Sequence, residues 1–313
     1  MRVLVTGGAG FIGSHLVRAC LEAGEDVRVF DDFSTGKREN LAEIARDIEV
    51  SEGSVVDAAA VERAARGCEV VYHLAAVASV PRTIDDPIGT HAVNATGTLH
   101  ALEAARRAGA RRFVAASSAA VYGDDERLPK REDMPARPRS PYALQKLAGE
   151  LYCEQYTRLY GLETVALRYF NVFGPRQDPK SMYAGVIPIF VAALRAGTRP
   201  RIFGDGLQSR DFVYVADVVA ANRAAAGAKP VVAGAAINVG RGERTSLLEL
   251  LALVAGALGL TAPEPIFEPA RTGDVRHSQA DVSRATEWLG FRARVPLGEA
   301  LGETARWYAG AMA

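Results

Sequence analysis

A doubly wound α/β fold, with a parallel sheet and a smaller loop-rich lobe toward the C-terminus, is predicted by three features of the sequence. Short apolar runs alternate with helical stretches through the first half. The first of these runs leads straight into a glycine-rich turn at position 7. After about Arg168 the alternation loosens, and Gly, Pro and Asp become frequent up to Asp211. Strand–helix alternation is what a parallel sheet requires, because each crossover must bring the chain back to the edge where the strand began.

The strand candidates are 2–6, 26–30, 69–74 and 111–116, apolar on both faces as expected for strands covered by helices. The helix candidates are 12–23, 58–66, 91–108 and 141–160. Further on, 212–215 and 235–239 read as short strands and 246–258 as a helix. The expected organisation is a nucleotide-binding domain over 1–170, to which the chain returns near 212–240. A second lobe is expected over 171–211 and 241–313.

The 313 residues are enough for two lobes, and 49% hydrophobic with 24% charged residues is a globular composition. Lys+Arg and Asp+Glu balance at 37 each, so no basic footprint for nucleic acid is present. Cys20, Cys68 and Cys153 are far apart, and the histidines form no cluster. Neither a metal site nor a disulfide framework is expected. No run reaches the ~20 apolar residues of a membrane span. The N-terminus is too short and glycine-rich for a signal peptide, so a cytoplasmic protein is expected.

Thr6-Gly7-Gly8-Ala9-Gly10-Phe11-Ile12-Gly13 fits both G-x-x-G-x-x-G and G-x-G-x-x-G, between a strand and a helix. Glycine lets the turn tighten and the backbone approach a pyrophosphate, while the helix that follows offers free N–H groups to the phosphates. Asp31 ends the second strand, 18 residues after Gly13. A carboxylate there would hold the adenosine ribose hydroxyls and repel a 2′-phosphate, which favours NAD over NADP.

Ser117-Ser118 ends the strand near 111–116, and Ser140-Pro141-Tyr142 opens the longest helix, with Lys146 one turn beyond Tyr142 on the same face. A nearby ammonium and a cationic cofactor would lower the Tyr142 pKa and fit the phenol for proton transfer. Ser118 would bond the same substrate oxygen.

TGGAGFIG, HLAA (73–76), SSAAVYG (117–123), Tyr142 with Lys146, and LRYFNVFGPRQ (167–177) resemble the extended short-chain dehydrogenase/reductases. Within these the chain is similar to the UDP-sugar 4-epimerases, especially those acting on N-acetylated hexosamines. The resemblance implies a Rossmann-type nucleotide domain and a homodimer built on the helices near 91–108 and 141–160. It implies NAD contacts at Gly7, Gly10, Phe11, Ile12, Gly13, Asp31, Ser34, Gly36, Ser54, Val55, Leu74, Ala75, Ala76, Asn94, Tyr142 and Lys146. It also implies a reaction in which Tyr142 removes the 4-OH proton while hydride passes from sugar C4 to tightly bound NAD. The keto sugar then turns over, and hydride and proton return to the opposite face.

Related dehydratases carry an acid beside the catalytic hydroxyl. Ala119 and Ala120 stand there, and methyl groups cannot serve as acid or base. Other outcomes on the same scaffold are epimerisation or decarboxylation of a UDP-uronate, or net sugar reduction. A non-catalytic NAD sensor is opposed by the intact Ser118, Tyr142 and Lys146. For the substrate, the resemblance implies contacts at Ser118, Asn171, Val186, Phe203, Arg210, Arg271, Asp274 and Ser278. Arginine suits the diphosphate because its planar fork donates two parallel bonds. Ser278 stands where a tyrosine marks epimerases restricted to UDP-glucose and UDP-galactose, so a small residue there leaves room for an N-acetyl group. Two departures stand out: Ser54 follows Glu52-Gly53 where relatives often carry an acid, and Ala184-Gly185 replaces an asparagine pair.

Overall fold

The computed structural model describes residues 1–178, 185–229, 232–270 and 275–311. Seven strands form its main sheet: β1 (Arg2–Thr6), β2 (Asp26–Asp31), β3 (Glu49–Glu52), β4 (Val70–His73), β5 (Arg112–Ser118), β6 (Glu163–Tyr169) and β7 (Ala235–Val239). Their order across the sheet is β7-β6-β5-β4-β1-β2-β3, and every neighbouring pair is parallel. The order reverses direction at β1, and the C-terminal ends of β1 and β4 border the crevice that open α/β sheets use for ligands.

Side chains alternate between two cores, as the twofold repeat of a strand demands. Val3, Val5, Val70, Tyr72, Val165 and Leu167 pack on one face with α1 (Phe11–Glu22) and the helix Val215–Gly227. Leu4, Val71, Phe113, Ala115 and Ala166 pack on the other with α2 (Ala58–Ala65), α3 (Gly97–Arg107) and α4 (Pro141–Tyr160). Two of the sheet strands escape the sequence pattern. β3 (EVSE) is a polar and largely exposed edge strand, and β6 follows only two residues after the longest helix.

The helix expected over 91–108 is interrupted. Pro87–His91 passes into a π turn, Ala92–Thr96, before α3 begins. Such turns occur frequently at functional sites. Here Asn94, within the turn, bonds both the N–H and the carbonyl of Val77, in the loop after β4. By contrast α4 has the predicted bounds because its ends are coded locally. Ser140 Oγ accepts the Ala143 N–H at 3.2 Å, Pro141 takes the first turn, and Gly161 adopts the left-handed conformation (φ 71°) at the end.

A third core fills the second lobe. Phe173, Phe190, Ile202, Phe212, Leu250, Leu301 and Tyr308 belong to it, and Phe11 and Ile12 of α1 pack against it. The short strands Asn171–Phe173 and Phe212–Tyr214 pair in parallel and lead from the main sheet into this lobe. The helix Leu247–Ala257 opens with a reciprocal Ser246–Glu249 capping box.

The glycine turn brings α1 against β1 at backbone distance. A Cβ on Gly13 would lie 2.1 Å from the Gly7 carbonyl oxygen, whereas one on Gly24, also at a helix end, meets nothing within 4 Å. Gly13→Ala therefore costs about 3 kcal/mol or more, because backbone must move on both sides. Gly24→Ala pays only for its left-handed φ of 74°, about 1–2 kcal/mol. Urea unfolding midpoints of the two variants measure the difference.

Candidate functional site

At the C-terminal end of β1, Gly7 has φ 69°, and a Cβ there would sit 2.7 Å from the Ala75 nitrogen. The loop after β4, with Leu74, Ala75 and Ala76, is thus laid directly against the glycine turn. α1 starts after Gly10, and no side chain caps its first N–H groups. They are left to an acceptor from outside the chain, as a pyrophosphate would be. Gly36 closes the adenosine side: a Cβ there would meet Ala9 Cβ and Asp31 Oδ1, both at 2.9 Å.

Asp31 is 7% exposed. Its Oδ2 accepts the Ala9 N–H at 2.9 Å and its Oδ1 the Phe33 N–H at 2.8 Å. Burial raises its pKa, opposed by these two bonds. A carboxylate has about four acceptor positions, so two remain for ribose hydroxyls. The cradle that glycine alone permits, the uncapped helix start and this acid together fit a dinucleotide.

Several expected cofactor contacts have more indirect places. Val55 is 4% exposed and packs in the α2–α3 core, so only its backbone borders the crevice. Phe11 packs against the second-lobe core, and Ile12 against both that core and the one on the α1 face of the sheet. Asn94 is 1% exposed and committed to Val77 and to Gln145 Oε1 (2.7 Å), so it shapes the loop rather than offering its amide outward. Ser34 donates its N–H to Asp32 and is exposed; Ser54, two residues beyond β3, is half-buried.

The reactive side chains meet where β5 ends. Ser118 accepts the Ala120 N–H at 3.2 Å and shares a hydrogen bond with Tyr142. Lys146 Nζ donates to the Ala116 carbonyl at 2.9 Å. Burial pushes this lysine down to about 8, with Glu150 opposing. The lowering expected for Tyr142 belongs to the site with its cationic cofactor; in the protein alone the direction is opposite. Burial raises the phenol, only Ser118 pulls it back, and the Lys146 ammonium spends a hydrogen bond on the strand-end carbonyl.

His73, a β-run ending without a ligand role in the sequence reading, is 3% exposed beneath this centre. Its ring nitrogens face Thr6 Oγ1 at 2.9 Å and Thr98 Oγ1 at 3.0 Å. Burial, then the Lys146 charge, pushes it down to about 3, so it stays neutral.

A cavity of about 380 Å³ opens in the second lobe. It gathers Asn171, Val186, Phe203 and Arg210, as the sequence led one to expect, with Gln177, Ile187, Phe212 and Leu247. Arg210 Nη1 donates to the Ser209 and Arg276 carbonyls at 3.0 and 3.2 Å, which ties it to the neighbouring segment. Ser278 is half-buried and donates its N–H to the Ser209 carbonyl at 3.0 Å. Arg271 and Asp274 lie outside the described residues. Sequence reasoning missed Gln208, which is 7% exposed in the cavity wall. Its Nε2 donates to the Phe203 carbonyl at 2.5 Å, and its Oε1 has no partner among the described residues. Among the described residues no His, Cys, Asp and Glu group could hold a metal, and no helix is long and apolar enough to cross a membrane.

The chain is 47% identical to a UDP-glucose 4-epimerase of Mycolicibacterium smegmatis, over 98% of both chains. Two solved structures superpose with a TM-score of 0.94. One is the UDP-glucose 4-epimerase of Thermotoga maritima with UDP-glucose, 39% identical and covered fully in both directions. The other is the UDP-N-acetylglucosamine 4-epimerase of Methanobrevibacter ruminantium in complex with UDP-N-acetylmuramic acid, 37% identical over 99% of each chain. The family model for NAD-dependent epimerases and dehydratases matches residues 3–240, and with the glycine cradle, Asp31 and the Ser118–Tyr142–Lys146 centre, the chain belongs to that family.

Proposed function

We propose that this enzyme is a UDP-sugar 4-epimerase whose pocket admits N-acetylated hexosamines, interconverting UDP-GlcNAc and UDP-GalNAc and, as a second pair, UDP-Glc and UDP-Gal. The observation that carries the reading is the meeting of Tyr142 with Ser118 at the end of β5, one helical turn from a buried Lys146. The backbone cradle for the dinucleotide lies beside it. Relatives named for glucose and for N-acetylglucosamine substrates support the reaction class equally.

Bound NAD supplies the reversible hydride acceptor at the sugar carbon. The chain does the rest. Tyr142 takes the C4 hydroxyl proton and returns it, with Ser118 bonded to the same oxygen. A proton acceptor must reach within hydrogen-bond distance of its target, and Ser118 and Tyr142 lie close enough to bear on the same oxygen. Lys146 faces the cofactor and favours the phenolate by its charge. Gly7, Gly10, Gly13 and Gly36 admit the dinucleotide backbone, and Asp31 takes its ribose. In the second lobe Asn171 and Arg210 hold the diphosphate, while Val186 and Phe203 line the base side. Arg271 and Asp274 complete this set by resemblance.

Ser278 supports the wider pocket, because a serine occupies little of the space beside the sugar 2-substituent. A roomy site rejects a smaller ligand poorly, so both substrate pairs fit. The enzyme is proposed to act as a homodimer. Leu144, Leu151 and Leu159 form an exposed stripe along α4 (58, 52 and 61% exposed), continued by Ile84 and Ile88 on the short helices beside it. Exposed apolar side chains gathered on adjacent helices suit a docking surface, and one patch paired with its own copy closes a twofold dimer.

Purified enzyme without added NAD is expected to epimerise UDP-GlcNAc at a rate comparable to UDP-Glc. Turnover of UDP-Glc alone overturns the Ser278 argument. No turnover of either, with NAD supplied, overturns the substrate class in favour of a uronate. Tyr142→Phe is expected to lower kcat by about 10³-fold with the fold intact. Ser278→Tyr is expected to lower kcat/KM for UDP-GlcNAc at least about tenfold while UDP-Glc stays within about threefold. Leu144→Glu/Leu151→Glu is expected to sediment as a monomer at concentrations where the parent is a dimer; a parent that sediments as a monomer overturns the assembly.

A further inference from the structure

Tyr142, Lys146 and Glu150 stand at four-residue steps on one face of α4. The reaction above uses the first two. Glu150 is 7% exposed, and both its oxygens are taken. Ser117 donates its hydroxyl to Oε1; Arg168 donates Nε to Oε1 at 2.9 Å and Nη2 to Oε2 at 2.8 Å. Ser117 and Arg168 are register partners on β5 and β6. One carboxylate thus pins α4 to two adjacent strands, one residue from Ser118 and one from the Ala116 carbonyl that receives Lys146. Arg168 is held further by the Tyr122 ring, 4.8 Å from its guanidinium carbon.

Stability alone gives no reason for an ion pair here, since apolar side chains of similar volume replace buried pairs at little or no cost. The surroundings of Lys146 give one. On its own helix it faces Tyr142 and Glu150; on β4, neutral His73; on β5, the Ala116 carbonyl; and on β6, Arg168 behind Glu150. Glu150 is the one anion acting on it among the described residues.

We propose that Glu150 is a positioning residue for the epimerisation: clamped by Arg168 and Ser117, its carboxylate keeps Lys146 an ammonium and holds the strand end that bears Ser118 in register with Tyr142. The proposal rests on the 4-epimerase reading. Its sign follows from the charges. Glu150→Gln removes the anion and leaves Arg168 uncompensated on the same side, so both changes drive Lys146 toward the neutral amine. Glu150→Gln/Arg168→Met removes both charges and leaves burial alone to act. The alkaline limb of activity should therefore lie highest in the parent, lower in the double variant and lowest in Glu150→Gln.

The test uses the enzyme with its own bound NAD. The pH dependence of kcat and KM is measured with whichever of UDP-Glc and UDP-GlcNAc turns over. In parallel, the ultraviolet tyrosinate titration of each variant is compared with its Tyr142→Phe counterpart. Glu150→Gln is expected to lower kcat about tenfold at neutral pH, leave KM within about threefold, and move the alkaline limb down by about one pH unit. Tyr142 should then ionise at higher pH. Glu150→Asp, which keeps the charge and shortens the arm, should lose rate with its alkaline limb in place. A Glu150→Gln limb and Tyr142 titration unchanged from the parent would overturn the proposal and leave a structural strut. Should Glu150→Gln fail to fold, the double variant decides: a limb below the parent's supports the proposal, and one equal to it sinks it. The tyrosinate titration needs no substrate, so a parent inactive on both UDP-sugars would fail the epimerase reading while Glu150 stays testable.

Discussion

His73 ties the floor of the dinucleotide crevice to the helix that carries the reactive side chains. Thr98 donates its hydroxyl to the Asn94 carbonyl at 2.6 Å. Having only one proton, it must accept from His73 Nε2–H. Nδ1 then accepts from Thr6, whose oxygen also receives the Ala75 N–H at 3.4 Å. The chain runs on through the Asn94 side chain to Val77, and through Gln145 into α4. Every proton in it is assigned, and a fully satisfied buried network of this sort specifies one arrangement where a partly satisfied one would not. The cofactor loop, the π turn and the catalytic helix therefore share one geometry.

The second lobe is organised by a comparable economy of acids. Asp211, fully buried, accepts N–H bonds from Arg241, Gly242 and Ala280 at 2.8, 2.9 and 3.0 Å. It also joins the strand pair that leads in from the main sheet, since its carbonyl receives the Asn171 N–H. Asp211 follows Arg210 in sequence, so the acid that ties the 241–242 and 280 backbone together also fixes the backbone beside the candidate phosphate-binding cation. Orphaning three such donors would cost far more than an exposed ion pair returns. The sequence analysis used Asp211 only to mark where the stretch rich in Gly, Pro and Asp ends.

What the sequence made legible was what local chemistry decides. The glycine turn, Asp31 at a strand end, and α4 with its Ser140 cap and Gly161 stop all follow from residues close together in the chain. Long-range packing decided the rest. Nothing local distinguishes Asn94 as a clamp on Val77 from Asn94 as a cofactor ligand, and nothing in Val55 announces that its side chain fills the space over Gly97. The rise that burial imposes on the Tyr142 pKa was hidden for a similar reason. Its direction depends on how much water the fold removes and on which acceptor Lys146 finds, and neither is written in the Tyr-x-x-x-Lys spacing.

These constraints converge on proton traffic. In a site this dry, a unit charge is felt strongly by its neighbours, so a proton moved on Tyr142 must be balanced by groups that do not themselves exchange it. Among the described residues His73 is the nearby group whose ordinary pKa would let it compete, and burial, with the Lys146 charge, holds it neutral far below working pH. Arg168 does not deprotonate. That leaves Lys146, already pushed down to about 8, as the one cation in the cluster able to change state together with Tyr142. Its charge is worth controlling, and Glu150 is the side chain placed to control it.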